Sequence, residues 1–528
     1  MSLIASTSRE SAVVLAVLAA LDALRVERRC MTLDSRTVHA GDVFVAVPGA
    51  HADGRHFVDA ALQSGAAAVL CEADDAASGV ASAIQVDTPR RIIQIPALRQ
   101  VMGDIAAAFY GYPSRVMRVY GVTGTNGKTS IANWLAQALD AAGSPCAAIG
   151  TLGVSLGTRT WATRNTTPDA VHLQTILRDL RAAGATQVAM EVSSHALELH
   201  RVRGVDFHSA IFTNLTQDHL DFHGTMAAYG AAKAKLFTDF ALQHRVINAD
   251  DAFGAELLTR GLRGAVSYGL NEGACVDLRG KLLAMTAHGM TLDLVWRGEV
   301  ARIDTALIGR FNASNLLAVA GTLLADGVPL HVVADRLTRL TAAPGRMQRV
   351  THKDAAEHGA VSIAPAVYVD YAHTPDALAK AIDTVRETAP ASLAVVFGCG
   401  GDRDRSKRPL MGAIAATRAD RVVVTSDNPR SEPPEAIIAD IVAGIDPERR
   451  SICVTVPARR DAIARAIGTA NAADAVLIAG KGHETYQEVN GLREPFSDVT
   501  EARAALCAWV DARQTVTPQA RGGACVGR

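Results

Sequence analysis

The chain has 528 residues, of which 49% are hydrophobic and 20% charged, with 53 Lys+Arg against 54 Asp+Glu. At roughly 100–200 residues per domain this length suggests about three globular domains, each able to bury its own core. A net charge of −1 provides no general field for nucleic acid or an anionic membrane surface.

In chain order, Ala12–Leu24 is apolar but interrupted by Asp22, and Arg9 and Glu10 precede it without the basic opening of a signal peptide. It reads as an amphipathic helix, with no membrane span. The eight cysteines are scattered, with no CxxC pair or zinc spacing, and read as reduced thiols of a cytoplasmic protein. Residues 1–115 mix short apolar runs (Val43–Val47, Ala66–Leu70) with Gly/Asp turns and end in a linker-like Tyr110-Gly-Tyr-Pro113. A second segment, 116–346, opens with the β-branched run VMRVYGV, then TGTNGKT and a helical pattern from about Ser130 to Ala142; QVAMEV (187–192) and SAIFTNL (209–215) are further strands. The third segment, 347–513, carries AVYVDY (366–371), a Pro-started helix at Pro375, and the apolar runs at 393–398, 421–426 and 475–480. Strands alternating with helices predict an α/β protein: a small N-terminal α/β domain, a central P-loop-type parallel sheet and a C-terminal Rossmann-like domain. The residues 514–528 read as a flexible tail, and neither they nor the insert His352–Ala364 suggest a function.

The first chemical motif is Gly124-Thr125-Asn126-Gly127-Lys128-Thr129, between a strand and a helix. Glycines let several backbone N–H groups face one anion, the helix N-terminus adds positive dipole, and the Lys and Thr can reach terminal phosphates and magnesium. The match to the standard pattern is imperfect, because Val122 stands where a glycine is wanted and Gly121 and Gly124 flank it. The plainer reading is a turn with a surface lysine; the flanking strand and helix favour phosphate. Glu191 ends an apolar strand on the same predicted edge, as a Mg²⁺ ligand or a solvated strand end. Asp218, His219, Asp221 and His223 crowd one loop, where zinc is the competing reading. In YGAAKAKLF, Lys233 and Lys235 taken alone read as a polar helix face.

Together GTNGKT, MEVSSHA, TNLTQDHLDFH, YGAAKAKLF, GRFNASNLLAVAG, VDYAHTPDAL, FGCGGDRDRSKRPLM, SDNPR and AGKGHE occur in the order shown by the Mur ligases. The chain resembles that family over about residues 33–505. The resemblance implies three domains, for the UDP end of the substrate, for ATP and for the incoming amino acid, the last closing over the others. It also implies the reaction: ATP phosphorylates the D-glutamate γ-carboxylate of UDP-N-acetylmuramoyl-L-alanyl-D-glutamate, and the amine of a diamino acid displaces phosphate to leave an amide, in peptidoglycan precursor synthesis. By the same resemblance Thr129 and Glu191 hold one Mg²⁺, and His219 and a CO₂-derived carbamate on Lys233 hold a second. Lys128, His219 and Lys233 are then the catalytic set. Asn312, and with it Asn315, is expected at the nucleotide, with helix capping as the plainer role. Leu33, Ser35, Ala50, His51 and Ala52 are expected at the uridine, and Asn165, Thr166, Thr167, Ser193 and Arg201 at the muramoyl-peptide. Leu199 departs from the family, standing where relatives often have glutamine.

Four loops follow the apolar runs of the last segment, at His373, Gly400, Asp427 and Lys481. If those strands are parallel, the loops converge and gather Arg403, Asp427, Asn428, Arg430, His483 and Glu484 into a mixed-charge pocket suited to a zwitterion. By resemblance Asp427-Asn428-Pro429-Arg430 marks enzymes that take meso-diaminopimelate, whose distal carboxylate a guanidinium can grip, with Arg403, Gly480 and Glu484 holding the other polar ends. The alternatives are a lysine-adding relative, a ligase similar to folylpolyglutamate synthase, or a non-catalytic nucleotide-binding module. The expected enzyme is a monomer.

Overall fold

The computed structural model describes residues 2–27, 30–49, 52–73, 84–140, 143–273, 275–352 and 364–514. Ala50 and His51, residues 353–363 of the insert and residues 515–528 of the tail lie outside the described residues. The chain forms two compact units: Met1–Arg279 with Trp296–Glu299 and Ser314–Arg336, and Gly280–Val295 with Val300–Ala313 and Leu337–Arg528.

The first unit opens with the helix Ser2–Ala23, in which Val14, Val17 and Leu21 are buried at helical spacing. Among the described residues no helix is long and apolar enough to cross a membrane. A five-stranded sheet follows: β1 (Met31–Thr32), β2 (Val43–Ala46), β3 (Ala68–Glu72), β4 (Gln85–Asp87) and β5 (Ile92–Ile95), in the order β1-β2-β3-β5-β4 with only β4 antiparallel.

A second sheet of this unit contains β6 (Arg118–Thr123), β7 (Cys146–Gly150), β8 (Gly153–Leu156), β9 (Arg159–Trp161), β10 (Gln187–Glu191), β11 (Ser209–Phe212), β12 (His244–Asn248) and β13 (Ala265–Gly269). The order is β13-β12-β11-β6-β10-β7-β8-β9, with β13 to β7 parallel and the last two strands antiparallel. The central strands β6, β10, β7 and β11 are buried almost throughout, which is why they read as unbroken apolar runs and not as alternating ones. Gly121 belongs to this packing: a Cβ there would lie 2.8 Å from the Phe207 ring, so the phosphate-type turn starts at Gly124. The strand β14 (Leu278–Thr286) begins beside β13, and β15 (Gly289–Trp296) and β16 (Glu299–Thr305) fall mostly in the second unit.

The second unit holds a sheet of β17 (Gln348–Val350), β18 (Ala366–Asp370), β19 (Leu393–Phe397), β20 (Arg421–Val424), β21 (Cys453–Thr455) and β22 (Ala475–Ala479). The order is β17-β18-β22-β19-β20-β21, parallel except for β17, and a hairpin of β23 (Tyr486–Val489) and β24 (Leu492–Pro495) follows. Alternate residues feed two cores. Tyr368, Val395, Phe397 and Leu477 pack with Leu378, Ile382 and Met411 on one face; Val367, Val396 and Ile478 pack with Ile463, Leu506 and Trp509 on the other. This is the α/β class, with helices covering both faces of a parallel sheet, as the alternation predicts.

The loops of this sheet are tied to its last helix, Asp498–Gln514, by a fully buried ion pair. Arg459 Nε and Nη2 each donate to Asp498 at 2.7 Å, and the guanidinium also donates to the carbonyls of Ala479 (2.9 Å) and Ser426 (3.3 Å). Asp498→Asn leaves that charge buried without its counter-ion. It is expected to lower unfolding free energy by about 3–5 kcal/mol, read from urea denaturation of the wild type and the variant.

Candidate active site

At the carboxyl edge of the central sheet, the loop after β6 enters the helix Lys128–Asp140. Gly124 (φ +148°) and Gly127 (φ +88°) have positive φ, and each lacks room for a side chain: a Cβ would strike Thr213 Oγ1 at Gly124 and come within 2.5 Å of Asn315 Oδ1 at Gly127. Neighbouring strand ends hold the loop. Thr213 Oγ1 donates to the Asn126 carbonyl (2.6 Å), Asn126 N donates to Asn214 Oδ1 (2.9 Å), and Thr125 Oγ1 donates to the Thr216 carbonyl (3.1 Å). Lys128 Nζ folds back over the loop onto the carbonyls of Gly124 and Thr125, both at 2.9 Å.

Glu191, at the end of β10, is 2% exposed. One carboxylate oxygen accepts from Thr129 Oγ1 (3.0 Å) and Thr151 Oγ1 (3.3 Å), and the other from Thr151 N (2.7 Å). A side chain at Gly150 would collide with this carboxylate. A buried carboxylate flanked by two hydroxyls is a hard oxygen donor set that fits Mg²⁺.

Lys233, on the helix Met226–Thr238, is 1% exposed; its amine donates to the Gly124 carbonyl (2.8 Å) and lies 4.3 Å from the centre of the Tyr229 ring. Among the described residues no carboxylate is ion-paired with it. Burial, reinforced by the Lys128 charge, holds this amine well below its ordinary value, against a weaker opposing pull from Asp218. Tyr229 links the lysine outward: its hydroxyl lies 3.3 Å from Thr125 Oγ1, and its ring centroid is 6.1 Å from that of His219. Burial raises the Tyr229 phenol to about 12. His219 is half-exposed, in the left-handed region (φ 52°), and stacks edge-on to His195 at 4.8 Å. Burial lowers both His195 and His223, whose Nε2 is 2.9 Å from Ser194 Oγ.

Thr166 Oγ1 lies 3.1 Å from Thr151 Oγ1, and Thr167 Oγ1 donates to the Glu191 carbonyl (2.8 Å) and accepts from Ser193 N (3.1 Å). Arg201 donates to the Thr167 carbonyl (3.3 Å), and Ser193 Oγ caps the helix Ser194–Glu198. Asn165 is exposed, but its neighbour Arg164 reaches Asp34 (3.4 Å), which joins this loop to the turn carrying Leu33 and Ser35. Ala52 accepts from Gly49 N (2.9 Å). Leu199 is exposed.

Asn312 belongs to the second unit, where its amide donates to the Ile308 carbonyl (2.8 Å) in the first turn of the helix Arg310–Ala325. The strands β18, β19, β20 and β22 of that unit are parallel, so their following loops share one edge. There Lys481 Nζ, fully buried, donates to Asn428 Oδ1 and Glu484 Oε2, both at 2.9 Å, and Asn428 Nδ2 donates to the same carboxylate (2.8 Å). Asp427 is 8% exposed, and a Cβ on Gly480 would come within 2.5 Å of its carboxylate. Arg430, adjoining buried Pro429, adopts φ 52°; its backbone is held by Glu488 O (3.0 Å) and Asn490 N (2.7 Å). Its guanidinium donates to the Gly401 carbonyl (2.7 Å), with no carboxylate paired to it among the described residues. Gly400 borders it and the exposed Arg403: a Cβ there would lie 2.9 Å from Arg430 Nη1 and 3.8 Å from Arg403 Cγ.

These two constellations lie in segments that match known sequence families: the Mur ligase family catalytic domain over residues 28–110, the Mur ligase middle domain over 122–323 and the Mur ligase glutamate ligase domain over 345–482. The chain belongs to the Mur ligase family. Like other Mur ligases, it is an ATP-dependent ligase that forms an amide bond. It is 49% identical over 485 residues to UDP-N-acetylmuramoyl-L-alanyl-D-glutamate–2,6-diaminopimelate ligase of Chromobacterium violaceum, covering 90% of this chain and 94% of the relative. It is 46% identical over 491 residues to the enzyme of the same name from Pseudomonas aeruginosa, covering 91% and 95%. A solved structure of a ligase with that name superposes with a TM-score of 0.65 at 38% identity, covering 91% of this chain and 94% of that one.

In this Mur ligase, three well-placed residues escape a motif-based reading. Thr151 supplies two of the three hydrogen bonds to the Glu191 carboxylate, Tyr229 underlies Lys233, and Lys481 organises Asn428 and Glu484. Thr151 follows a buried strand directly, a signal that marks its edge position; Tyr229 and Lys481 fall within the motifs YGAAKAKLF and AGKGHE, but nothing local marks the contacts they make. Lys128→Ala should retain the fold, read by circular dichroism, and lower ligation about 10²–10³-fold. Near-normal turnover in a substrate-dependent ADP-release assay would remove Lys128 from the phosphate site.

Proposed function

We propose that this Mur ligase joins meso-diaminopimelate to the D-glutamate of UDP-N-acetylmuramoyl-L-alanyl-D-glutamate, with ATP cleaved to ADP and phosphate, as a step of peptidoglycan precursor synthesis. The observation that carries the reading is near-full-length similarity, at 46–49% identity, to relatives that bear that name. A carboxylate resists nucleophiles because of its charge and because it has no leaving group. Transfer of the terminal phosphoryl group to the D-glutamate γ-carboxylate supplies one, and the incoming amine then displaces phosphate and forms the amide. The protein's share is positioning and charge neutralisation. Gly124–Thr129 would cradle the phosphates, with Lys128 at their end. Leu33, Ser35 and Ala52 would meet the uridine, and Asn165–Thr167, Ser193 and Arg201 the muramoyl-peptide.

Thr129 and Glu191 would hold one Mg²⁺, and His219 with a carbamylated Lys233 a second; bound there, the ions would neutralise charge on the transferring phosphoryl group. A buried amine whose charged form is disfavoured is the state that reacts with CO₂, and the resulting carbamate replaces a cation with an oxygen-donor anion. Lys233→Ala is expected to lose most activity and to recover part of it with added short-chain carboxylates. An unmodified ammonium at Lys233 in magnesium-loaded enzyme, sought by ¹³CO₂ labelling and NMR, would count against the carbamate.

On the second unit, Arg430 would grip the distal carboxylate of the diamino acid, with Asp427, Asn428, Arg403, Gly480 and Glu484 around its other polar ends. Lysine lacks that carboxylate and would leave the half-buried guanidinium without a counter-ion, with only the Gly401 carbonyl to accept from it. A site built for a hydrogen-bonded group can reject an analogue lacking it by roughly 10⁴–10⁵, less where solvent reaches the pocket. Arg430→Ala should lose diaminopimelate activity far more than it gains lysine activity. The measurement is kcat/KM for both amino acids in both proteins. Equal use of the two by wild type would overturn the substrate assignment, and an unchanged ratio in the variant would overturn only the role of Arg430.

A further inference from the structure

The opposite, amino-terminal edge of the central sheet carries a second set of ligand-type side chains. His208 immediately precedes β11, and His244 is the first residue of its parallel neighbour β12, with Ser209 and His244 in register. Asp326 follows the helix Arg310–Ala325, within the same unit. One nitrogen from each histidine and one Asp326 oxygen all lie within 4.8 Å of one another. The same carboxylate oxygen, Oδ1, is 2.9 Å from His208 Nε2 and 3.8 Å from His244 Nε2.

A tetrahedral ion with bonds of about 2.0–2.2 Å holds its ligand atoms about 3.3–3.5 Å apart. The two Asp326 separations bracket that spacing and the two imidazole nitrogens lie within 4.8 Å of each other, so a modest approach of the two rings would close the set. The second oxygen of Asp326 is already directed: Tyr120 donates to Oδ2 at 2.7 Å, the kind of outer hydrogen bond that orients a ligating carboxylate. The carboxylate is 4% exposed and the histidines 17% and 27%, so an ion there would be partly desolvated yet reachable. His208 and Arg118 also line an open cavity of about 740 Å³ with Gln187 and Gln243, from which water could complete the coordination. The Arg118 guanidinium opposes a cation, but it lies 3.8 Å from Oδ2, on the side away from the imidazoles' partner oxygen, and is 60% exposed. Burial lowers His244, which favours the neutral ring a metal needs.

We propose that His208, His244 and Asp326 form a binding site for a divalent transition metal of the zinc class, which clips the starts of β11 and β12 to the end of the helix Arg310–Ala325. Two imidazoles against a single carboxylate suit such ions better than Mg²⁺, which favours oxygen-rich sites. Binding exchanges the His208–Asp326 hydrogen bond for metal bonds: a neutral His208 ring carries its one N–H proton on Nδ1 when Nε2 binds the ion, and a doubly protonated ring gives its second proton to solvent.

The test uses the full chain, stripped with chelator and kept reduced in excess Mg²⁺, titrated with Zn²⁺ against a competing dye and separately with Co²⁺. About one equivalent of Zn²⁺ should bind with a rise in melting temperature, and Co²⁺ should give a four-coordinate visible spectrum without a thiolate charge-transfer band. Tyr120→Phe should weaken binding about 10–100-fold. His244→Ala, which removes a partly exposed ring, should abolish the equivalent and the thermal shift while leaving folding and ligation unchanged. Asp326→Asn should do the same, and His244→Ala keeps the test decisive if that buried change unfolds the protein. No stoichiometric Zn²⁺, a thiolate band with Co²⁺, or undiminished binding in His244→Ala would each overturn the proposal.

Discussion

A parallel sheet sends every strand's carboxyl end to one edge, and in both units of this protein a dense group of buried polar side chains collects there. Thr129, Glu191 and Thr213 lie at or beyond the ends of the central strands; Thr425, Ser426, Asp427, Asn428 and Lys481 do so in the second unit. The strand interiors are apolar on both faces and contribute rigidity, while the chemistry sits at their ends, as Glu191 does at the end of β10. Polar groups in such a position must satisfy one another, because a buried donor or acceptor left unpaired costs about 1–3 kcal/mol. That requirement explains the density of hydrogen bonds around Glu191 and around Asn428. It also means that each functional side chain is oriented by neighbours before any ligand arrives.

Lys233 is where this constraint is strained most. An ammonium stripped of water ordinarily needs a carboxylate, yet this one has a carbonyl from the Gly124 turn and the face of Tyr229. A carbonyl bond and a cation–π contact offset only part of the desolvation penalty, since the contact contributes about 2 kcal/mol even when desolvated. The neutral amine is therefore favoured, and Lys128 nearby pushes the same way. Arg459 shows the contrasting solution, because its full burial is matched by a bidentate carboxylate and two carbonyls. The charge of Arg459 is structural and permanent; that of Lys233 is conditional.

Much of this was legible in sequence, for identifiable reasons. Fully buried parallel strands appear as uninterrupted β-branched runs, so β6, β10, β19, β20 and β22 stand out within a residue or two of their observed bounds. Glycines at positive φ and the residues between them follow in order, so the loop at 124–129 could be located despite its imperfect pattern. What stayed hidden depends on tertiary approach. Thr151 reaches Glu191 only because β7 and β10 are neighbours, and Lys233 differs from Lys235 only in which helix face it occupies: the first is buried, while the second pairs with Glu198. Gly121 resembled part of the phosphate loop, but the Phe207 ring against it makes it a packing glycine. The grouping of His208, His244 and Asp326 joins two strand starts to a helix end, a relation that no local pattern encodes.

The two edges of the central sheet differ in donor chemistry as well as position. The carboxyl edge presents mostly oxygen donors, hydroxyls, carbonyls and the buried Glu191 carboxylate, beside the half-exposed His219, a set weighted towards hard ions and phosphate. The amino edge presents imidazoles around a single carboxylate, held by side chains from three separate elements. Ions of the two kinds would therefore partition between the edges by ligand type, not by competing for one site. Strands β6, β11 and β12 run the full distance between the edges, through a close-packed core that keeps their ends in fixed register. Fixing the starts of β11 and β12 would thus restrain the frame from which Thr213 and Asn214 hold the Gly124–Thr129 loop, without adding any group to the chemistry.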